Sequence, residues 1–217
     1  MISNLPPGLK NILIVMVLGA MAQTALPRIG IDPVQWYLFY PDSDQFRIWQ
    51  LVTHMFCHGG FSHILFNGIA LFSFGMVVEH RLGTNRFLRL FFTSGLGAVL
   101  VHFLWMAYFI KSETGMFFPN MSSDLFQIPY PPMLGASGAL YGIMTAFALL
   151  YPNESMIFLF IPYPIKAKYL VPVIVGIDII FGFADLESDN IAHFAHIGGA
   201  LFGFLFVKIW QKEWFKI

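Results

Sequence analysis

The sequence predicts an all-α membrane protein: six transmembrane helices in one bundle, with both termini cytoplasmic and a single domain over residues 1–217. Three observations predict it. Of 217 residues, 57% are hydrophobic and only 11% charged, with a mean hydropathy of +0.69, far from the balance of a soluble domain. Apolar runs approaching the roughly 20 residues that a bilayer crossing requires recur six times. Threaded alternately through a membrane, these runs leave most lysines and arginines on one side. The formal net charge of zero gives no sign of a nucleic-acid partner or an acidic substrate. One cysteine, Cys57, excludes an internal disulfide framework.

The predicted spans are Ile12–Leu26, Phe61–Val78, Phe87–Ile110, Met133–Tyr151, Tyr169–Phe183 and Ile191–Trp210. In the first, Lys10, an apolar core and Ala20-Met21-Ala22 also fit a secretory leader with a cleavage site, which stands as the alternative for that segment. Residues 28–57 form an interfacial first loop. Its stretch from Arg28 to Thr53 carries Trp36, Tyr37, Phe39, Tyr40 and Trp49 among prolines and aspartates, as a flap or short helices at headgroup level would. Met156–Ile165 is apolar but too short to span and broken by Pro162 and Pro164, and is expected to run along the interface. With a cytoplasmic amino terminus, Lys10, Arg81, Arg86, Arg89, Lys166, Lys168, Lys208, Lys212 and Lys216 lie inside. Only Arg28, Arg47 and Lys111 lie outside.

Polar side chains inside a membrane must be paired or face a cavity, so their positions carry information. His63 and Asn67 lie near the outer start of the second span, Ser137 near that of the fourth and His196 near that of the sixth. At about 1.5 Å rise per residue, all fall within roughly two turns of the outer end. Residues four apart share a helix face, so His63 aligns with Asn67, and Ser137 with Tyr141. Gly138 and Gly142 on the fourth span and Gly199 and Gly203 on the sixth form small-xxx-small pairs. If these pairs pack together, the backbones approach closely enough for His196 to reach Ser137. Taken singly, a serine among glycines is more often packing, and a lone histidine more often a hydrogen-bond donor between helices. At one depth they can form a hydrolase site: imidazole removes the serine proton, and the Ser137 N–H with the His63 and Asn67 side chains meets an oxyanion.

Three motifs now resemble the rhomboid family of intramembrane serine proteases: "GASGALYG" from Gly135 to Gly142, "AHIGGALFG" from Ala195 to Gly203 and "HGGFSHILFN" from His58 to Asn67. The resemblance covers most of the chain from about Gln50 onward and implies a six-transmembrane-helix rhomboid-like bundle. It implies catalysis by a dyad of Ser137 and His196, with His63 and Asn67 assisting the oxyanion. Gly135 would let the backbone approach the substrate, and Tyr141 would stack against His196. His54, His58 and His193 would be hydrogen-bonding and positioning groups. The Asp185–Asn190 loop would cap the site, the fifth span would act as a lateral gate with Phe66 as its partner, and Glu79 would be structural. The implied substrates are membrane proteins with a transmembrane helix in a lipid bilayer, and no cofactor, metal or nucleic acid is implied. Two departures stand out. Where the family often has a Trp-Arg pair, this chain has Trp49-Gln50, which bears on the stability of the loop. Asp178 sits within the fifth span where an apolar gate residue is expected; it could neutralise, face water or orient a histidine.

Two rival readings remain. "HMFCH" from His54 to His58 and "HFAH" from His193 to His196 could mark a metal enzyme of the membrane desaturase or hydroxylase kind, although no carboxylate cluster completes a dimetal site. A non-cleaving protein of the same fold would bind transmembrane segments, but such proteins usually lack the serine or the histidine. Compactness points to a bacterial plasma membrane, with an organelle membrane as the alternative.

Overall fold

Apolar runs punctuated by glycine and proline fold into long helices. The computed structural model describes residues 5–119, 132–158, 161–184 and 193–214. Within these, α1 spans Pro7–Ala25, α2 is a single turn at Gln50–Thr53, and α3 covers Phe61–Leu82. Then follow α4 (Thr84–Thr114), α5 (Ser137–Leu150), α6 (Ala167–Ala184) and α7 (His193–Trp214). Four described helices are long and apolar enough to cross a membrane: α1 continued to Ile29, α3, α4 and α7 to Lys212. The other two predicted spans correspond to α5, with 14 residues, and α6, with 18. The chain is a mostly helical, multi-pass membrane protein.

Two predicted segments differ in kind. The fourth span was expected to open at Met133, but its helix opens at Ser137. Met133 instead pairs with Leu38 of the first loop in an antiparallel bridge, with N–H···O distances of 2.8 and 2.9 Å. Gly135 then turns the chain at φ +120°, which side-chain-bearing residues rarely adopt, before the helix begins. Met156–Ile165, expected to run along the interface, belongs to a β-hairpin, so the fold is not strictly all-α. Strand β1 (Ser155–Phe158) pairs antiparallel with β2 (Ile161–Lys166), Ser155 opposite Lys166 and Met156 opposite Ile165. Proline lacks an N–H, and a two-stranded ribbon tolerates it because each strand keeps one unpaired edge. Residues 185–190, the expected cap, lie outside the described residues, as does the predicted start of the sixth span at Ile191.

Lipid tails are as apolar as leucine, so these helices associate through close packing rather than by escaping water. Helix α7 packs chiefly against α4 and α5, which also pack against each other. The glycine pairs lie at this contact. A Cβ on Gly199 would overlap the Gly138 carbonyl, and one on Gly203 the Gly142 backbone. In the apolar core Leu71, Phe87, Phe91 and Ile143 are fully buried. Gly83, at φ +78°, is the single residue between α3 and α4 and lets the chain reverse there.

Helix α1 is peripheral and, among the described residues, has no capping side chain or acidic residue of its own at its start. Glu79, buried on α3, supplies both: it accepts the N–H groups of Gly8 (2.8 Å) and Leu9 (2.6 Å) and the Thr84 hydroxyl (2.7 Å). Bonds to a charged acceptor contribute roughly 1.5–3 kcal/mol each.

The first loop forms turns at Leu26–Ile29, Pro33–Trp36 and His54–Phe56 besides α2. Its centre is Gln50, fully buried. Gln50 Oε1 accepts the N–H groups of Phe39 (3.3 Å) and Arg47 (3.1 Å), and Nε2 donates to the carbonyls of Gln35 (3.2 Å) and Gln45 (2.8 Å). The departure from Trp-Arg therefore leaves the loop with a hub of its own.

Candidate active site

Helices α3, α5 and α7 each deliver a polar residue from their first turns to one place. Ser137 is the first residue of α5, so its N–H and those that follow have no acceptor in a preceding turn. His196 is the fourth residue of α7. With the glycine contact drawing these helices together, His196 Nε2 lies 2.9 Å from Ser137 Oγ. The Tyr141 ring stacks on His196 at 4.2 Å between centroids, 7° from parallel. A cavity of about 570 Å³ opens here, lined by His54, His63, Asn67, Gly135, Ser137, Tyr141 and His196 among others.

Opposite the serine, His63 Nδ1 accepts the Gly59 N–H at 3.2 Å, which leaves Nε2 as the protonated ring nitrogen. That nitrogen would lie 2.8 Å from a Cβ on Gly135, so only glycine fits beside it. Asn67 Nδ2, on the same face of α3, is buried without a hydrogen-bond partner among the described residues. Two N–H donors therefore adjoin the loop that leads into Ser137.

The first loop braces that loop. His54 is buried; its Nδ1 bonds the Gln50 carbonyl at 2.7 Å, and its own carbonyl accepts the Gly135 N–H at 2.9 Å. Burial lowers the His54 pKa to about 4, with the Gln50 bond opposing, so the ring is neutral near pH 7. His58 does not line the cavity. Its backbone is held by Gln23, whose Oε1 accepts its N–H at 2.8 Å and whose Nε2 donates to its carbonyl at 3.1 Å. Its ring packs edge-on to His63 at 5.1 Å. Burial and then the neighbouring His63 lower its pKa to about 4. Phe66, expected at a gate, is half exposed.

The sequence leaves the role of Asp178 open. Its Oδ1 lies 2.6 Å from His193 Nδ1 and 3.0 Å from His196 Nδ1. The signal was present in the unexpected carboxylate itself and in the paired histidines of "HFAH". The donor atoms of Asp178, His193 and His196 lie within 4.8 Å of one another and make the one group of this kind among the described residues that could hold a cation. The 2.6 and 3.0 Å separations are those of hydrogen bonds. The histidines of "HMFCH" do not converge on a common ligand: His54 bonds the backbone and His58 packs on His63.

Residues 45–212 match the Rhomboid domain family. Rhomboid protease GluP of Bacillus subtilis is 30% identical over 156 residues, 72% of this chain and 25% of the relative. Rhomboid protease AarA of Providencia stuartii is 29% identical over 163 residues, 72% of this chain and 54% of the relative. The mitochondrial RHOMBOID-like protein 12 of Arabidopsis thaliana is 31% identical over 157 residues, 71% and 44% of the two chains. The chain spans about half the length, or less, of these relatives. Relatives with mitochondrial names remove the support for a bacterial plasma membrane in particular.

Proposed function

The chain belongs to the rhomboid family, and from that premise we propose that it is an intramembrane serine endopeptidase that hydrolyses peptide bonds in or near transmembrane segments of membrane proteins. The observation that carries this reading is the 2.9 Å contact between Ser137 Oγ and His196 Nε2 in a cavity lined by hydrogen-bond donors. Helices α1, α3, α4, α5, α6 and α7 each cross the bilayer in this reading. Both termini are cytoplasmic, as the positive charges favour, and the site lies near the outer face, where water can enter without crossing lipid.

The reaction divides in two. His196 Nε2 takes the Ser137 proton while Oγ bonds to the substrate carbonyl carbon. Developing negative charge on the carbonyl oxygen is met by the Ser137 N–H, His63 Nε2–H and Asn67 Nδ2–H; losing one such donor typically costs about 2.7–4 kcal/mol of transition-state stabilisation. The C–N bond then breaks, and the leaving amine receives the proton from His196. Water, deprotonated by His196, attacks the acyl carbon, and Ser137 leaves with the proton returned. Gly135 lets the substrate backbone approach, Tyr141 keeps the imidazole in plane, and His54, His58 and His193 hold the surrounding elements. No cofactor or metal takes part in these steps. The test is cleavage of a transmembrane substrate in liposomes by the native protein and by Ser137→Ala. Cleavage by the native chain alone is expected; equal cleavage by both removes Ser137 from the mechanism.

A further inference from the structure

We propose that Asp178 is a positioning residue of this reaction, fixing the tautomer and orientation in which His196 accepts the Ser137 proton, with His193 as a second donor to the same carboxylate oxygen. The inference rests on Ser137 and His196 being the reacting pair. A carboxylate only accepts, so bonds of 2.6 and 3.0 Å to Oδ1 place protons on Nδ1 of both His193 and His196. A proton on Nδ1 of His196 leaves a lone pair on Nε2, the nitrogen 2.9 Å from Ser137 Oγ. The opposite tautomer would present an N–H to the serine and could not take its proton.

Orientation is fixed in the same way. Tyr141 stacking restrains the plane of the His196 ring, and the Asp178 bond restrains rotation within that plane. When Nε2 takes the proton, the ring becomes an imidazolium whose charge faces the carboxylate; the proton stays on His196. Asp178 comes from α6, most of whose neighbouring side chains, such as Ile177, Ile179 and Ile180, are apolar and exposed. An unpaired carboxylate there would be costly in lipid, and Asp178 is buried against two imidazoles instead. Among the described residues, the titratable groups around it are His193 and His196 from α7 and Tyr141 from α5. His193, with its own bond to Oδ1, keeps the carboxylate turned toward α7.

The test pairs kinetics with histidine ¹⁵N NMR in nanodiscs. Native His196 is expected as the Nδ1–H tautomer. Asp178→Asn is expected to shift it toward Nε2–H and to lower kcat about 100-fold or more with KM little changed, since the same exchange in a serine protease triad costs about 10⁴-fold. Asp178→Glu is expected to recover part of kcat. An Asp178→Asn variant that melts like the native protein and keeps native kcat would overturn the proposal. So would a native His196 protonated at Nε2, or one lacking the Nδ1 proton because a cation occupies that position. The native spectrum needs no folded variant. A native chain that neither cleaves nor labels at Ser137 would instead remove the protease reading itself, a result distinct from normal cleavage by Asp178→Asn.

Discussion

Gly199 on α7 rests against the backbone carbonyl of Gly138 on α5, one residue beyond Ser137, with no room for a methyl group between them. A backbone atom cannot swing aside as a side chain can. Gly199→Ala is therefore expected to lower stability by about 1–3 kcal/mol and to reduce cleavage more than 10-fold by parting Ser137 from His196. Thermal unfolding in detergent and a cleavage assay check this. Gly176→Ala, where a Cβ meets nothing within 4 Å, should leave both unchanged.

Gln50 organises the first loop, which in turn holds Met133 and Gly135 ahead of the serine. Gln50→Leu takes the partner from the N–H groups of Phe39 and Arg47 and the carbonyl of Gln45, while the Gln35 carbonyl keeps the Trp49 indole N–H, and an orphaned buried group costs about 1–3 kcal/mol. The variant is expected to melt earlier by at least about 2 kcal/mol and to show faster hydrogen exchange across residues 35–50. Native exchange there would contradict the hub role.

The geometry of the candidate site was legible where it rests on spacing. Ser137, Tyr141 and the glycine pairs declare a shared face by their intervals of four, and His63, Asn67 and His196 declare a shared depth by their distance from span ends. Asp178 was not legible to that degree, because its role depends on which nitrogens lie across from it on α7. Gln50 marks a departure in the sequence, but its hub role is not legible there, because its partners are backbone groups with no sequence signature. The strand pairing was not legible because Pro162 and Pro164 read as breakers, whereas the pairing of Met156 with Ile165 is a cross-strand relation that local sequence does not encode. The late start of α5 follows from the Leu38–Met133 bridge, a long-range pairing that local periodicity does not encode.

Buried His54 predicts an acid limit. Its pKa in the folded chain is about 4, below the ordinary value of 6.5. The unfolded chain therefore binds a proton below about pH 6.5 that the folded chain refuses until about pH 4, so stability is full above 6.5 and declines as pH falls through that window. The decline attributable to His54 is about 3 kcal/mol. Melting temperatures from pH 7.5 to 4.5 should fall with acidification, and less steeply in His54→Phe; identical slopes would refute the assignment.

In the proposed reaction a substrate helix must open before its carbonyl can reach Ser137, because its backbone groups are already bonded within the helix. Substrates with glycine or other helix-breaking residues near their outer boundary should be cut faster than the same segments carrying alanine and leucine there. Propensity differences of about 1 kcal/mol per glycine suggest several-fold changes in kcat/KM for each exchange. Rates indifferent to these exchanges would contradict the unwinding step.

The most direct measurement is covalent labelling of the purified protein by a fluorophosphonate, located by peptide mass spectrometry. A hydroxyl activated by His196 predicts one adduct, on Ser137, lost in His196→Ala. Absence of an adduct on Ser137 in a chain that cleaves its substrate, or undiminished labelling in His196→Ala, would contradict the account.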